Sequence, residues 1–397
     1  MALELVNEMK IVAFNSGSSS LKFGLYKVSY GHIDTMFSGE IESIGQPASK
    51  FRLHDSQGNT LLSETDAIAN QSEALIRIEQ LFADGSVPTP DAIGHRIVHG
   101  GPRLRQHVVI DDVVVQQLAA ATAFAPLHTP SSLAVLRFAQ KYFPGLPQVA
   151  CFDTTFHKDM PDVARIFPIA RELQLDGVQR YGFHGLSCES ILQQLGKNSV
   201  ERLIIAHLGN GASVTAVKAG KSIDTSMGLS PAGGLMMGTR SGDLDPGVLL
   251  YLMQEKKYDA AMLQTLLNRQ SGLLGISGIS SDMRMLHEAA TTDKNAKLAI
   301  QMFCYSVRKE IASMISALEG IDMLVFTGGI GENDARVRAK ICSGLSWVGV
   351  NLDTARNQSA LHSIHQLSSS CAINVLPSQE DRQVARHTWE LCSHNKS

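Results

Sequence analysis

Residues 10–27 read KIVAFNSGSSSLKFGLYK. An apolar run, Ile11 Val12 Ala13 Phe14, breaks into Asn15 Ser16 Gly17 Ser18 Ser19 Ser20 and resumes as Leu21 Lys22 Phe23 Gly24 Leu25 Tyr26. That is the pattern of a β-hairpin closed by a turn of small, hydroxyl-bearing residues. In such a turn backbone N–H groups converge, Gly17 admits a close approach, and the serine hydroxyls with Lys22 face the concavity. A polyphosphate is the natural guest. A plain hairpin whose serines satisfy their own backbone fits the same residues equally well.

A second stretch, about 190 residues on, repeats the plan. Leu203 Ile204 Ile205 Ala206 leads into His207 Leu208 Gly209 Asn210 Gly211 Ala212 Ser213 and then Val214 Thr215 Ala216 Val217. Two such hairpins, one in each half, predict a duplicated fold that grips the phosphates of one nucleotide from both sides of a central cleft.

The bulk properties agree with a soluble globular protein. At 397 residues the chain exceeds what one core usually serves, and the expected division is 1–153 with 382–397 against 154–381. With 44% hydrophobic residues and a formal charge of −3 there is no basic footprint for nucleic acid or an anionic membrane. No apolar run reaches the roughly 18 residues of a membrane span, and Met1 to Met9 lacks the basic and apolar regions of a signal peptide. A cytoplasmic location is expected. The six cysteines contain no CxxC pair and read as reduced thiols.

Between the hairpins, residues 31–66 read as further antiparallel strands, 71–82 as a helix with Ala74, Leu75, Ile78 and Leu81 on one face, and 91–98 as a strand delivering Gly94 His95 Arg96 to a loop. Helices follow over 111–122 and 131–142, then a buried strand, Gln148 to Phe152, that ends in Asp153. Strand ends are where open α/β sheets place their chemistry. Arg180 Tyr181 Gly182 Phe183 His184 Gly185 precedes a helix near Ser187, and the polar, glycine-loaded loop 224–247 carries Arg240. A strand over 322–326 runs into Thr327 Gly328 Gly329 Ile330 Gly331 Glu332 Asn333 and a helix to about Leu345. A last strand, 372–376, leads to a C-terminal helix that returns to the first domain.

Two common nucleotide folds fail on spacing. A dinucleotide fingerprint from Gly329 and Gly331 needs a glycine at Asp334, and a P-loop ending Gly220 Lys221 Ser222 needs one at Thr215, with Lys221 reading as a turn residue between strands. Two hairpin clamps plus a strand–Gly–Gly–helix turn is instead the plan of the duplicated actin-like (ribonuclease H-like) ATPase fold, α/β with two domains.

The motifs that include Asn15 to Lys22, Gly94 to Gly101, Phe152 to Thr154, Arg180 to Gly185, His207 to Gly211, Met237 to Asp243 and Gly328 to Asn333, taken in order, resemble the acetate kinase family. The resemblance implies reversible transfer of the ATP γ-phosphoryl group to acetate, giving acetyl phosphate and ADP, with Mg²⁺ or in its place Mn²⁺, in a homodimer. It implies that Arg96 and Arg240 are the guanidinium forks that hold carboxylate and phosphoryl oxygens. His184 then bonds the phosphoryl group in flight, and His128 and His207 lie near substrate and phosphates. Asp153 matches an essential carboxylate. Because acetate is ionised at neutral pH and needs no general base, aligning the metal or an arginine is its more economical role.

By the same matching, Asn15 and Glu380 hold the metal. Lys22, His207, Leu208, Gly209, Asn210, Gly211, Asp282, Met283, Arg284, Gly329, Ile330, Gly331, Glu332 and Asn333 bind ATP, although Asp282 also reads as an ordinary helix N-cap. Val98, Leu127, Phe183 and Pro231 line the acyl pocket, where a valine leaves room for a methyl and crowds an ethyl. Two departures stand out: Ser378 Gln379 Glu380 Asp381 where the family more usually has Thr Asn Glu Glu, and Gly185 Leu186 Ser187 Cys188 for Gly Thr Ser His. The rivals are a propionate or broader short-chain carboxylate kinase and a nucleotide-gated binding protein on the same fold.

Overall fold

Strand β1 (Met9–Ser16) is buried on both faces because it lies inside its sheet, antiparallel to β2 (Leu21–Ser29) on one side and parallel to β6 (Ala92–Ile97) on the other. That position explains its unbroken apolar run, Ile11 to Phe14. The computed structural model describes residues 8–17, 19–359 and 361–394; Ser18 and most of the Met1 to Met9 stretch lie outside them. The chain forms two units, Met1–Thr155 with Gln379–Ser397, and Phe156–Ser378. Glu380 and Asp381 thereby fall in the first.

In the first unit β3 (His32–Glu42), β4 (Ser49–Asp55) and β5 (Thr60–Asp66) extend the sheet as an antiparallel meander. β8 (Gln148–Phe152) lies parallel to β6, and the short β7 (Val108–Val109) closes the edge. The order is β5-β4-β3-β2-β1-β6-β8-β7. The helix Gln71–Ala83 starts where the Asn70 side chain accepts from the Glu73 N–H, and it buries Ala74, Leu75, Ile78 and Leu81 against the sheet core around Phe14, Phe23 and Leu25. On this sheet also lies the C-terminal helix Glu380–His394. It packs on bare strand backbone: a Cβ on Gly94 would collide with Thr388 and Val384.

The second unit repeats the arrangement. β9 (Arg202–Leu208) is antiparallel to β10 (Ala212–Lys218), which is antiparallel to β11 (Lys221–Thr225); on its other side β9 is parallel to β12 (Met323–Thr327), and β12 to β13 (Ala372–Val375). The order β11-β10-β9-β12-β13 matches β3-β2-β1-β6-β8 strand for strand and direction for direction. The duplication read from the two hairpins is thus present in the topology. The helix Lys294–Leu318, capped by Asp293, covers β9, β10 and β11 through a buried stripe that includes Phe303, Val307, Ile311 and Met314.

Local differences from the sequence reading have local causes. Lys221 opens β11, because the two-residue turn is made by Ala219 and Gly220, both at positive φ (49° and 77°), the geometry favoured in tight hairpins. The motif Gly328–Asn333 is itself a short helix, and the helix expected after it, to about Leu345, is Ala335–Cys342. The two are parted at Asp334, whose side chain accepts from the N–H groups of Arg336 and Val337 and so starts the second. The stretch between β11 and the helix Pro246–Gln254 has no regular structure. It is held by Arg180, which donates to the carbonyls of Thr225, Ser226 and Met227, and by Asp243, which accepts from the Gly234 N–H at 2.6 Å. Among the described residues no helix is long and apolar enough to cross a membrane, and the six cysteines are buried.

Candidate active site

In the first unit, register assembles the cluster. Asn15 is paired with Lys22 across β1–β2 and with Arg96 across β1–β6, and Asp153 follows β8, the next strand. Arg96 Nε and Nη2 both donate to Asp153 Oδ2, at 3.0 and 2.6 Å. Arg96 Nη1 donates to Asn15 Oδ1 at 3.0 Å and lies 3.0 Å from Glu380 Oε2. The side chains of Arg96, Asp153 and Glu380 are 17%, 1% and 13% exposed, so solvent screens these charges little. Burial works against the Arg96 charge, but Asp153, Glu380 and Asp381 outweigh it and raise its pKa.

Asp381 completes the group. Its Oδ1 accepts from Asn15 Nδ2 at 3.0 Å, and desolvation raises its pKa against the Asn15 hydrogen bond and the charges of Arg96 and Lys22. Three carboxyl groups therefore oppose one guanidinium, with Lys22 exposed at the edge. The donors are hard oxygens with surplus negative charge, a set that fits a Mg²⁺-class cation, with Asn15 Oδ1 and Glu380 Oε2 sharing or exchanging their Arg96 contacts. Ser16, one of the turn serines, has its hydroxyl 3.1 Å from that of Ser132, a partner neither reading of the turn named. Val98 is buried just beyond β6. Leu127 and His128 are half-buried at the start of the helix Thr129–Tyr142.

In the second unit, the turn from Gly209 to Gly211 is flanked by His184, His207 and Arg240. A Cβ built on Gly211 would lie 3.2 Å from His184 Nε2 and 3.3 Å from Arg240 Nη1. Glycine at 211 lets both groups lie against the turn, where any side chain would press on them. Arg240 is fixed by Nη1 donating to the Pro231 carbonyl at 3.0 Å, and its loop is tied down by the Gly238 N–H donating to the Asn210 carbonyl at 3.1 Å. The His184 and His207 rings stack at 4.1 Å with an interplanar angle of 17°. Two imidazolium charges at that separation repel by about 4 kcal/mol at an effective dielectric of about 20, so the stack disfavours charging both rings. Ser213 Oγ lies 3.0 Å from His184 Nδ1 and Ser187 Oγ 2.8 Å from His207 Nδ1. Phe183 is buried directly before His184, and Pro231 is half-buried in the loop.

A cavity of about 750 Å³, within the range of ligand pockets, is lined by Gly209, Asn210, Asp282, Met283, Arg284, Gly329, Ile330 and Asn333 together with Ser281, Asp334, Ala335 and Arg336. It gathers most of the residues expected around ATP in this unit. His207, Leu208, Gly211, Gly331 and Glu332 are not on its wall. Glu332 instead accepts from the N–H groups of Gly328 and Ser378, and the Gly331 carbonyl accepts from buried Arg338. Asp282 is an N-cap, accepting from the Arg284 N–H, and also borders the cavity.

Sequence reasoning did not assign roles to Asp381, Ser187 or Ser213. Asp381 carried one signal, its place beside Glu380 in the first turn of a helix. The serines carried none, since a buried hydroxyl 29 or 20 residues from its histidine has no spacing signature. Other buried histidines stay outside the site: His95 bonds Gln148 at 2.9 Å with its pKa pushed down to about 4 by burial, and His157 lies against Ser222 with its pKa at about 3.

The profile of the acetokinase family matches residues 10–386. An acetate kinase of Methylocella silvestris is 40% identical, covering 96% of this chain and 97% of its own. Among solved structures, a propionate kinase from Francisella tularensis superposes with a TM-score of 0.89 at 37% identity, covering 96% of this chain and 99% of its own. An acetate kinase from Porphyromonas gingivalis gives 0.85 at 35% identity with the same coverage. The fold is the duplicated actin-like α/β fold of these enzymes. The chain belongs to the acetokinase family.

Proposed function

We propose that the chain is an acetate kinase, transferring the γ-phosphoryl group of ATP to acetate and, in reverse, that of acetyl phosphate to ADP. The observation that carries this reading is an imidazole Nε2, of His184, and a guanidinium Nη1, of Arg240, brought together beside the bare turn at Gly211. Phosphoryl transfer asks a protein chiefly for such fixed donors around equatorial oxygens that gain charge. An acetate oxygen attacks phosphorus, the bond from phosphorus to the β–γ bridging oxygen breaks, and ADP leaves with that electron pair. No proton need move. His184 and Arg240 donate to the transferring group, Arg96 receives the carboxylate, and Asp153 holds the Arg96 fork rather than acting as a base. Val98, Leu127, Phe183 and Pro231 bound the methyl.

The nucleotide occupies the cavity bounded by Asp282 to Arg284, Gly329, Ile330 and Asn333, and Lys22 is the further residue assigned to its phosphates. Asn15 and Glu380, aided by Asp381, are the groups suited to Mg²⁺, with Mn²⁺ an acceptable substitute by its similar oxygen chemistry. The metal when bound supplies neutralisation of the polyphosphate charge. Acetate and ATP place the reaction in the cytoplasm. A homodimer is supported by the helix Pro246–Gln254, whose Val248, Leu250, Tyr251 and Met253 are all exposed on the single chain. Sedimentation should give twice the chain mass of 42.9 kDa.

The test is trapping of acyl phosphate with hydroxylamine from purified protein and Mg·ATP, with acetate, propionate and butyrate supplied separately. A signal strongest with acetate is expected. One strongest with propionate keeps the chemistry and overturns the Val98 reading, and silence with all three from folded protein that binds ATP overturns the proposal in favour of a binding protein.

A further inference from the structure

A line of hydroxyls stands behind the two stacked histidines. Ser378 Oγ donates to Ser187 Oγ at 3.1 Å, and Ser187 Oγ lies 2.8 Å from His207 Nδ1. A serine hydroxyl has one proton to give. With Ser378 donating to it, Ser187 has its own proton available for His207 Nδ1, and a ring that accepts at Nδ1 carries its proton on Nε2. Ser213, which faces His207 across the β9–β10 ladder, takes the same place on His184 at 3.0 Å. Ser187 and Ser213 are 0% and 1% exposed, so water offers their hydroxyls no alternative partner. Both Nε2 atoms sit over the glycine turn: a Cβ on Gly211 would be 3.2 Å from that of His184, and one on Gly209 would be 3.7 Å from that of His207.

We propose that Ser187, Ser213 and Ser378 are positioning residues that fix both stacked imidazoles as Nε2–H tautomers, so that the turn Gly209 to Gly211 meets an anion with two ring donors and no acceptor. The line is anchored at the nucleotide cavity. Glu332 Oε1 accepts from the N–H groups of both Ser378 and Gly328, at 2.9 and 2.8 Å, and so ties Ser378 to the turn whose Gly329 and Ile330 form the cavity wall. Serine at 378 thus keeps the hydroxyl on which the line depends. The inference rests on the phosphoryl-transfer reading for its purpose, but the tautomers are a property of the unliganded chain.

The experiment is ¹H–¹⁵N two-bond correlation spectroscopy on the full chain labelled at histidine nitrogens, with resonances assigned by His184→Gln and His207→Gln. Both rings should show the Nε2–H pattern. Ser187→Ala should turn His207 into a tautomer mixture, and Ser213→Ala should do the same to His184. Each should lower kcat about tenfold, the kinetic equal of one neutral hydrogen bond, with the KM for ATP unchanged. Ser378→Ala, at a half-buried position, gives the His207 readout if Ser187→Ala does not fold, and Ser378→Thr should restore the spectrum. A wild-type ring with its proton on Nδ1, or an unchanged His207 spectrum in both Ser187→Ala and Ser378→Ala, overturns the proposal. An inactive wild type with both Nε2–H signatures would support it while removing the phosphoryl-transfer reading.

Discussion

Replacing Gly211 by alanine tests the site at its narrowest point. The added methyl would sit 3.2 Å from His184 Nε2 and 3.3 Å from Arg240 Nη1, closer than the roughly 3.5 Å at which such atoms rest, so both groups must retreat by a few tenths of an ångström. The larger effect is displacement, because donors pushed off the turn no longer converge on a phosphoryl oxygen bound beside it. Losing one preorganised donor of this kind costs about 10² to 10³ in kcat. Gly211→Ala should therefore lose at least about a hundredfold. The fold should survive: Gly211 is not among the glycines at positive φ, and alanine at a permitted position gains about 0.4 to 1 kcal/mol from the unfolded chain, which offsets the crowding. The assay is steady-state acyl hydroxamate formation beside a thermal melt, with Gly329→Ala, whose Cβ meets nothing within 4 Å, as a control for glycine loss near the nucleotide. A folded Gly211→Ala variant retaining more than about a tenth of the wild-type kcat would refute the reasoning.

Arg96→Ala leaves Asp153 and Glu380 buried without their guanidinium and should lower stability by about 3 to 5 kcal/mol, with Asp153→Asn in the same background recovering part of the loss in urea unfolding. No recovery in the double variant would sink the charge argument. His95 has its pKa pushed down to about 4 by burial, so the unfolded chain takes up that proton first; stability present above about pH 6.5 is lost as pH falls toward 4, by about 3 kcal/mol in all. His95→Gln should flatten the dependence of the urea midpoint on pH in that window, and parallel curves would count against it. Val98→Ala should move the ratio of kcat/KM for propionate over acetate upward, within the roughly 10- to 200-fold that one methylene is worth. An unmoved ratio would remove Val98 from the acyl wall.

The legible part of the molecule is the part carried by local pattern. The hairpin of β1 and β2 could be read because strand, turn and strand are contiguous, and its echo at β9 and β10 predicted a duplication that the two sheet orders display. Asp153 could be nominated because it follows a strand of buried residues. Asp381 could not be tied to Asn15, since 366 residues separate the two and only the return of the terminal helix onto β1 and β6 brings them together. The serine partners of His184 and His207, 29 and 20 residues away, were hidden because each pair joins different elements and leaves no periodic trace. Asp334 parting the short motif helix from the next is a capping event that competes with helical periodicity, and the turn at Ala219 and Gly220 set the start of β11 by backbone conformation. Glu332 carried a motif match, yet its carboxylate is committed to two backbone N–H groups.

The central claim is that this chain moves a phosphoryl group between ATP and acetate by means of Arg96 and Arg240. The most direct measurement is ATP formation, followed by luciferase, from acetyl phosphate and Mg·ADP with the purified wild type and the Arg96→Ala and Arg240→Ala variants. The account predicts rapid ATP formation by the wild type and a loss of at least about a hundredfold in each folded variant. No ATP from folded wild-type protein, or undiminished rates in both variants, would contradict it.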